Sequence, residues 1–258
     1  MALELAYRLP EDFDPSLRTV FLGSSLGSAS LMWARALPFL AEGVQPVTWD
    51  LPGHGDSAPA HDSFTLADIA DALVDLADKL GVVTFDYAGV SISGAIALEL
   101  ALRHPDRVSS VAVMCSAAKL GTIESWADRA AMVREKGTSA IIPGLPERWF
   151  SPTFISDDPM WLDTLMEILS DTDADSYAKC CEALGAYDVR DDLKNVSVPT
   201  LVIAGDHDPS ISADQIRELM TGLPNAKLFV VEGGRHLCVV DFPQVTAGAL
   251  NTFWSGIH

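Results

Sequence analysis

Four cysteines in 258 residues leave little room for disulfide or metal chemistry. They are Cys115, Cys180, Cys181 and Cys238; two are neighbours, and no pair has the spacing of a zinc site or a redox motif. No metal and no cofactor are therefore expected, and the thiols are expected to be free and buried, as in a cytoplasmic protein. Basic residues are also scarce. Seventeen Lys and Arg against 36 Asp and Glu give a formal charge of −19, which argues against nucleic acid and anionic membranes as partners. An anionic small molecule is repelled at long range and needs local Lys or Arg to be held. No apolar run reaches the roughly 20 residues needed to span a bilayer. The opening Met1-Ala2-Leu3-Glu4-Leu5 has neither the basic start nor the apolar core of a secretion signal, so a cytoplasmic location is expected. Internal repeats and low-complexity tracts are absent.

What remains is 48% apolar and 21% charged, the composition of a folded globular chain long enough for a large core. Short β-prone runs alternate with helical segments. The strand candidates are 19–22, 46–49, 82–87, 110–114, 200–204 and 228–231, several of them continuously apolar, as strands covered on both faces must be. The clearest helix is predicted over 66–80. Leu66, Ile69, Ala70, Leu73, Leu76, Ala77 and Leu80 recur at helical spacing, Asp68, Asp71, Asp75 and Asp78 face outward, Thr65 caps the start and Gly81 the end. This alternation predicts an α/β fold with an open, mostly parallel sheet, whose ligands bind beyond the carboxyl ends of the strands. From about Gly121 to Arg190 the alternation stops. Helix-like segments around 126–135, 161–170 and 176–185, with no convincing strand, predict a helical insertion over the sheet, read as a cap or as extra structural helices.

Ser91 stands in Gly89-Val90-Ser91-Ile92-Ser93-Gly94, between a β-prone stretch and a good helix former, Ala95 to Leu102. A G-x-S turn in that setting reads as a nucleophile elbow, which lifts a hydroxyl above the sheet beside a free helix N-terminus. A structural Gly-Ser-Gly turn is the plain alternative for the motif alone. Ser93 occupies a place that is usually glycine. A serine hydroxyl needs a base oriented by an acid. Ala204-Gly205-Asp206-His207-Asp208-Pro209 offers Asp208, with Asp206 as second choice, and Glu232-Gly233-Gly234-Arg235-His236-Leu237 offers His236. His207, beside the acid, is a poorer base; His54, His61, His104 and His258 have bland positions in a turn, a loop, a helix end and the terminus. An oxyanion hole is expected from the backbone N–H of Ile92 with one from Gly23-Ser24-Ser25-Leu26-Gly27; its resemblance to loops that read His-Gly-x, whose third residue donates, puts Leu26 first and Ser25 second. The Ser24 and Ser25 side chains either add a hydrogen bond to the substrate or close the turn.

The order Ser91, Asp208, His236 at strand ends resembles that of the α/β-hydrolases, over about Thr19 to Trp254, and Asp50-Leu51-Pro52-Gly53-His54-Gly55-Asp56-Ser57 resembles a structural turn of that family. Segments 116–122 with Trp126, Glu147-Arg148-Trp149-Phe150 and 177–181 with Ala183 are similar to the 3-oxoadipate enol-lactone hydrolases of bacterial aromatic catabolism. The departures are Ser93, the Ser24-Ser25 pair and an N-terminus too short for the usual opening hairpin. The resemblance implies an α/β-hydrolase fold: a mostly parallel twisted sheet with helices on both faces, a core of 1–120 and 191–258, and a helical cap of 121–190. It implies that Ser91 attacks a lactone or ester carbonyl, that His236 is the base and that Asp208 orients it. Among the cap cations Arg148, Arg129, Arg134 and Lys119, Arg148 is the chosen partner for a substrate carboxylate, with Trp149, Trp126 and Ser24 as further binding candidates. The partner is a small lactone or ester, and a homo-oligomer is left open. A carboxylesterase, a carbon–carbon bond hydrolase, a perhydrolase and a non-catalytic binding protein of the same fold are the competing readings.

Overall fold

A computed structural model describes residues 3–257; Met1, Ala2 and His258 lie outside the described residues. The elements before the elbow are β1 (Tyr7–Arg8), β2 (Arg18–Gly23), β3 (Val44–Trp49), α1 (Leu66–Leu80) and β4 (Phe85–Val90). Helix α1 has the predicted bounds. Thr65 and Asp68 form a reciprocal capping box, and Gly81 ends it at φ 75°. Strand β4 lies three residues later than predicted. Val82 closes the end of α1 through its N–H to Ala77 O, and Val83 is 77% exposed, so the strand starts only at Phe85 and runs directly into Ser91.

Next come α2 (Ile92–Arg103) and β5 (Val108–Met114). Ala95, Ile96, Ala97 and Leu98 are all fully buried, so α2 is a core helix lying on β4 and β5. Helices α3 (Ile123–Lys136), α4 (Leu145–Trp149), α5 (Pro152–Asp157), α6 (Pro159–Asp171) and α7 (Ala174–Ala186) then follow, with no strand between β5 and β6 among the described residues. The chain returns to the sheet as β6 (Thr200–Gly205), α8 (Ala213–Gly222), β7 (Ala226–Val231), α9 (Cys238–Asp241) and α10 (Pro243–Ser255). No described helix is long and apolar enough to cross a membrane.

The strand order is β1-β3-β2-β4-β5-β6-β7. All neighbours are parallel except the two-residue β1, which pairs antiparallel with β3; the described residues form no opening hairpin. Because β7 is an edge strand, Leu228 and Val230 are half exposed, unlike the apolar residues of the central strands. The order reverses at β2: the chain steps out to β3 and returns to β4 on the other side. Gly23 and Gly89, at the ends of β2 and β4, are therefore direct neighbours. Such a switch point opens a crevice beyond the strand ends, where ligands bind in sheets of this kind.

Candidate active site

Ser91 occupies that crevice at φ 59° and ψ −116°. A serine in this region costs about 1–3 kcal/mol, and it persists only where the surroundings enforce it. Here its N–H donates to Met114 O at 2.8 Å, tying the turn to β5, and its carbonyl accepts from Gly94 N at 2.9 Å. The turn is tight enough to require glycine on both sides. A Cβ on Gly89 would lie 2.2 Å from the Ser93 carbonyl oxygen, and one on Gly94 would lie 2.5 Å from Ser116 Cβ.

His236 follows β7, three strands from β4, a separation of about 14 Å at ordinary strand spacing. The loop bearing it spans the gap by folding back over β6 and β5. His207 N–H donates to Gly234 O at 3.0 Å. A Cβ on Gly205 would be only 2.3 Å from that same oxygen, so the close crossing requires the glycine. Cys115 Sγ lies 3.6 Å from Arg235 O. The result is a connected row: His236 Nε2 is 2.9 Å from Ser91 Oγ, and His236 Nδ1 is 2.9 Å from Asp208 Oδ2. The imidazole and carboxylate are almost wholly shielded, with side-chain exposures of 8% and 2%. Asp208 also accepts from Ser210 N at 2.8 Å, which fixes its rotamer. An imidazole between a hydroxyl and a buried carboxylate can take the hydroxyl proton and be stabilised as imidazolium.

The alternatives fall away on position. His207 and Asp206 are exposed, lie 3.5 Å apart and do not line the crevice that holds Ser91. His104 joins Asp71 at 2.6 Å. His54 is buried under the Asp50 turn, with Nδ1 2.9 Å from Pro52 O, and burial holds it down at about 4.

Neither Leu26 nor Ile92 gives its backbone N–H to a protein acceptor, and Leu26 lines the same crevice as Ser91. Leu26 and Gly27 are the centre of a turn closed by Ser28 N to Ser25 O at 3.0 Å, with Gly27 at φ 79°. The second choice, Ser25, already points its N–H at Met32 Sδ, 3.4 Å away. Ser24 is a correction. It is fully buried, it does not line the crevice, and its carbonyl accepts the Ser93 hydroxyl at 2.5 Å. Ser93 therefore ties the elbow to the loop after β2, and Gly23 leaves the space: a Cβ there would sit 2.6 Å from Ser93 Cβ.

The cavity over Ser91 and His236 measures about 280 Å³, and the helical segment supplies much of its wall. Trp126, Arg148 and Trp149, the binding candidates named from the sequence, are among the residues that line it. Arg148 is exposed and reaches Ser210 Oγ at 3.4 Å, whereas Trp149 is buried. Tyr177 and Arg129 also line it; sequence reasoning gave the first no binding role and placed the second behind Arg148. The signal was available for Arg129, which stands one helical turn beyond Trp126 on α3. Lys119 and Arg134 are absent from the cavity and are tied to Asp188 and to Asp175 and Glu182. A larger hollow of about 620 Å³ lies against α1, among Asp68, Asp71 and Asp75, and holds none of the row.

The histidine loop is strapped to the helical segment. Leu237 N–H donates to Trp149 O at 3.0 Å, Arg235 donates to Glu147 O, and Asp241 accepts from Ser151 N at 2.7 Å and Ser151 Oγ at 3.1 Å. Beneath the loop, Cys115 and Cys238 lie Sγ to Sγ at 3.5 Å. That contact and burial raise the Cys115 thiol well above its ordinary range. All four cysteines are free and buried. Among the described residues no three His, Cys, Asp or Glu side chains are grouped to hold a metal ion.

The chain is similar to 3-oxoadipate enol-lactonase 2 of Acinetobacter baylyi (strain ATCC 33305 / BD413 / ADP1), 32% identical, with 87% of this chain and 84% of that protein aligned. It is 29% identical to RutD of Caulobacter sp. (strain K31), assigned as a carbamate hydrolase, over 93% of this chain and 91% of the relative. The crystal structure of the enol-lactonase from Burkholderia xenovorans LB400 superposes with a TM-score of 0.92 at 28% identity, covering 98% of this chain and 97% of that one. Residues 20–249 match the model of a family described as the alpha/beta hydrolase family, and with most of its length matched this chain belongs to that family.

Proposed function

We propose that the protein hydrolyses a lactone or carboxylic ester through an acyl-enzyme on Ser91, and that its substrate is 3-oxoadipate enol-lactone. The observation that carries the reading is His236 bonded at once to the Ser91 hydroxyl and to the shielded Asp208. In the first step Ser91 Oγ bonds to the lactone carbonyl carbon as His236 Nε2 takes its proton. The oxyanion lies between the N–H groups of Ile92 and Leu26; each such donor contributes about 3–4 kcal/mol to the transition state. Collapse breaks the ring C–O bond, and His236 returns the proton to the departing enol oxygen. Water, deprotonated by His236, then attacks the acyl carbon; the bond from that carbon to Ser91 Oγ breaks and His236 returns the proton to Oγ, with Asp208 holding the ring and its charge throughout. No bound metal or cofactor enters this sequence of steps. In the same reading, residues 121–190 cap the crevice and 1–120 with 191–258 form the core.

The similarity to enol-lactonases in sequence and in structure supports the lactone as substrate. Carbamate hydrolysis is the second reading, favoured by the similarity to RutD, and needs only the same row of side chains. Side-by-side turnover of the enol-lactone, aryl esters and a carbamate decides between them. Ser91→Ala is expected to abolish hydrolysis, with the circular dichroism spectrum retained, and an activated fluorophosphonate is expected to label only the unmutated protein. Failure of the probe to label Ser91 would leave a binding protein on a hydrolase fold.

A further inference from the structure

The cations of this chain are unevenly satisfied. Among the described residues, eight of the eleven arginines form ion pairs with Asp or Glu, as expected where 36 acids face 17 bases. The exceptions are Arg129, Arg148 and Arg235. Arg235 donates to the Glu147 carbonyl, and the other two line the cavity above Ser91. That cavity has no Asp or Glu in its wall. In so acidic a protein, a wall with two unpaired guanidiniums and no carboxylate is a local reversal of the field, suited to an anion.

The two arginines differ. Arg148 is exposed and already touches Ser210 Oγ. Arg129 is half-buried; its guanidinium lies over the rings of Trp126 at 5.7 Å and Tyr177 at 5.8 Å, and its buried Nε–H has no hydrogen-bond partner. The two aromatic rings flank the guanidinium and hold its plane, and Nε is left without a partner. A buried donor left unpaired is costly, and a planar fork of N–H groups matches a carboxylate bidentately. At about 280 Å³ the cavity is below the roughly 300–1,000 Å³ of drug-sized sites, so the anion belongs to a small molecule.

Resting on the hydrolase reading above, we propose that Arg129, rather than Arg148, grips a carboxylate of the substrate away from the scissile carbonyl, and so makes the enzyme selective for small carboxylate-bearing lactones or esters. The test compares one ester bearing a free carboxylate with its methyl ester. Unmutated protein is expected to favour the acid. In Arg129→Met the ratio of kcat/KM for acid over methyl ester is expected to fall about 10-fold to 100-fold, mainly through KM. Arg129→Lys, which keeps the charge but loses the fork, is expected to fall between. Arg148→Met is expected to change the ratio less than threefold. Equal losses on both substrates in Arg129→Met, or collapse of the ratio in Arg148→Met instead, would overturn the assignment. Calorimetric binding of adipate to the Ser91→Ala protein, with and without Arg129→Met, reads the same site without turnover. Adipate bound equally by both variants sinks the carboxylate site even if Ser91 proves catalytic, and adipate lost with Arg129→Met supports the site even if no ester is cleaved.

Discussion

Ser93 shows how one side chain can couple two loops. Its hydroxyl bonds the Ser24 carbonyl, two residues before the Leu26 N–H assigned to the oxyanion. Ser93→Ala leaves that buried carbonyl unpaired, at an expected cost of about 1–2 kcal/mol in urea denaturation. Steady-state kinetics should show kcat falling more than KM changes, since the disturbed group acts on the transition state; an unaltered kcat would separate Ser93 from the oxyanion loop. His54 gives a pH prediction at the same scale. The unfolded chain takes up a proton on this ring near pH 6.5, but burial delays uptake in the folded chain to about 4. Stability is therefore whole above pH 6.5 and lost as pH falls through that window, by about 3 kcal/mol once below it. His54→Asn, which keeps a donor for Pro52 O, should flatten the pH dependence of the urea midpoint between pH 7 and 4.

Among the elements, the straps between the histidine loop and segment 147–151 make the cavity wall and the base move together. Asp241 on α9 is half-buried, so its carboxyl is pushed above the usual range; it nevertheless holds Ser151, the N-cap of α5, through two bonds. Asp241→Ala is expected to cost about 2 kcal/mol and to raise KM severalfold with a smaller effect on kcat, because Arg148 and Trp149 lose their anchor before His236 does. Thermal melts and initial rates check both. Elements were legible where local rules sufficed. Helix α1 carries its capping box and closing glycine in its own sequence, and its bounds match. Strand β4 was misplaced because Val82 and Val83 have β-prone side chains but serve the end of α1, a competition that only the folded chain decides. The exposure of β7 likewise depends on its place at the sheet edge, which no residue of the strand encodes.

At the scale of the molecule, a charge of −19 opposes compactness through self-repulsion. The melting temperature is expected to rise between about 10 and 200 mM NaCl as screening shortens the reach of that repulsion; a flat profile would mean that the local ion pairs already offset it. The sequence by itself determined the alternation of strands and helices along the chain, the helical stretch between β5 and β6, and the three turns bearing Ser91, Asp208 and His236, because turn chemistry and hydrophobic period are local properties. Only the tertiary structure decided that Ser24 is buried outside the lining of the crevice and that the histidine loop crosses two strands to meet Ser91. It alone showed Arg129 to be an unpaired cation in the cavity, since whether a charge has a partner depends on packing between segments far apart in the chain.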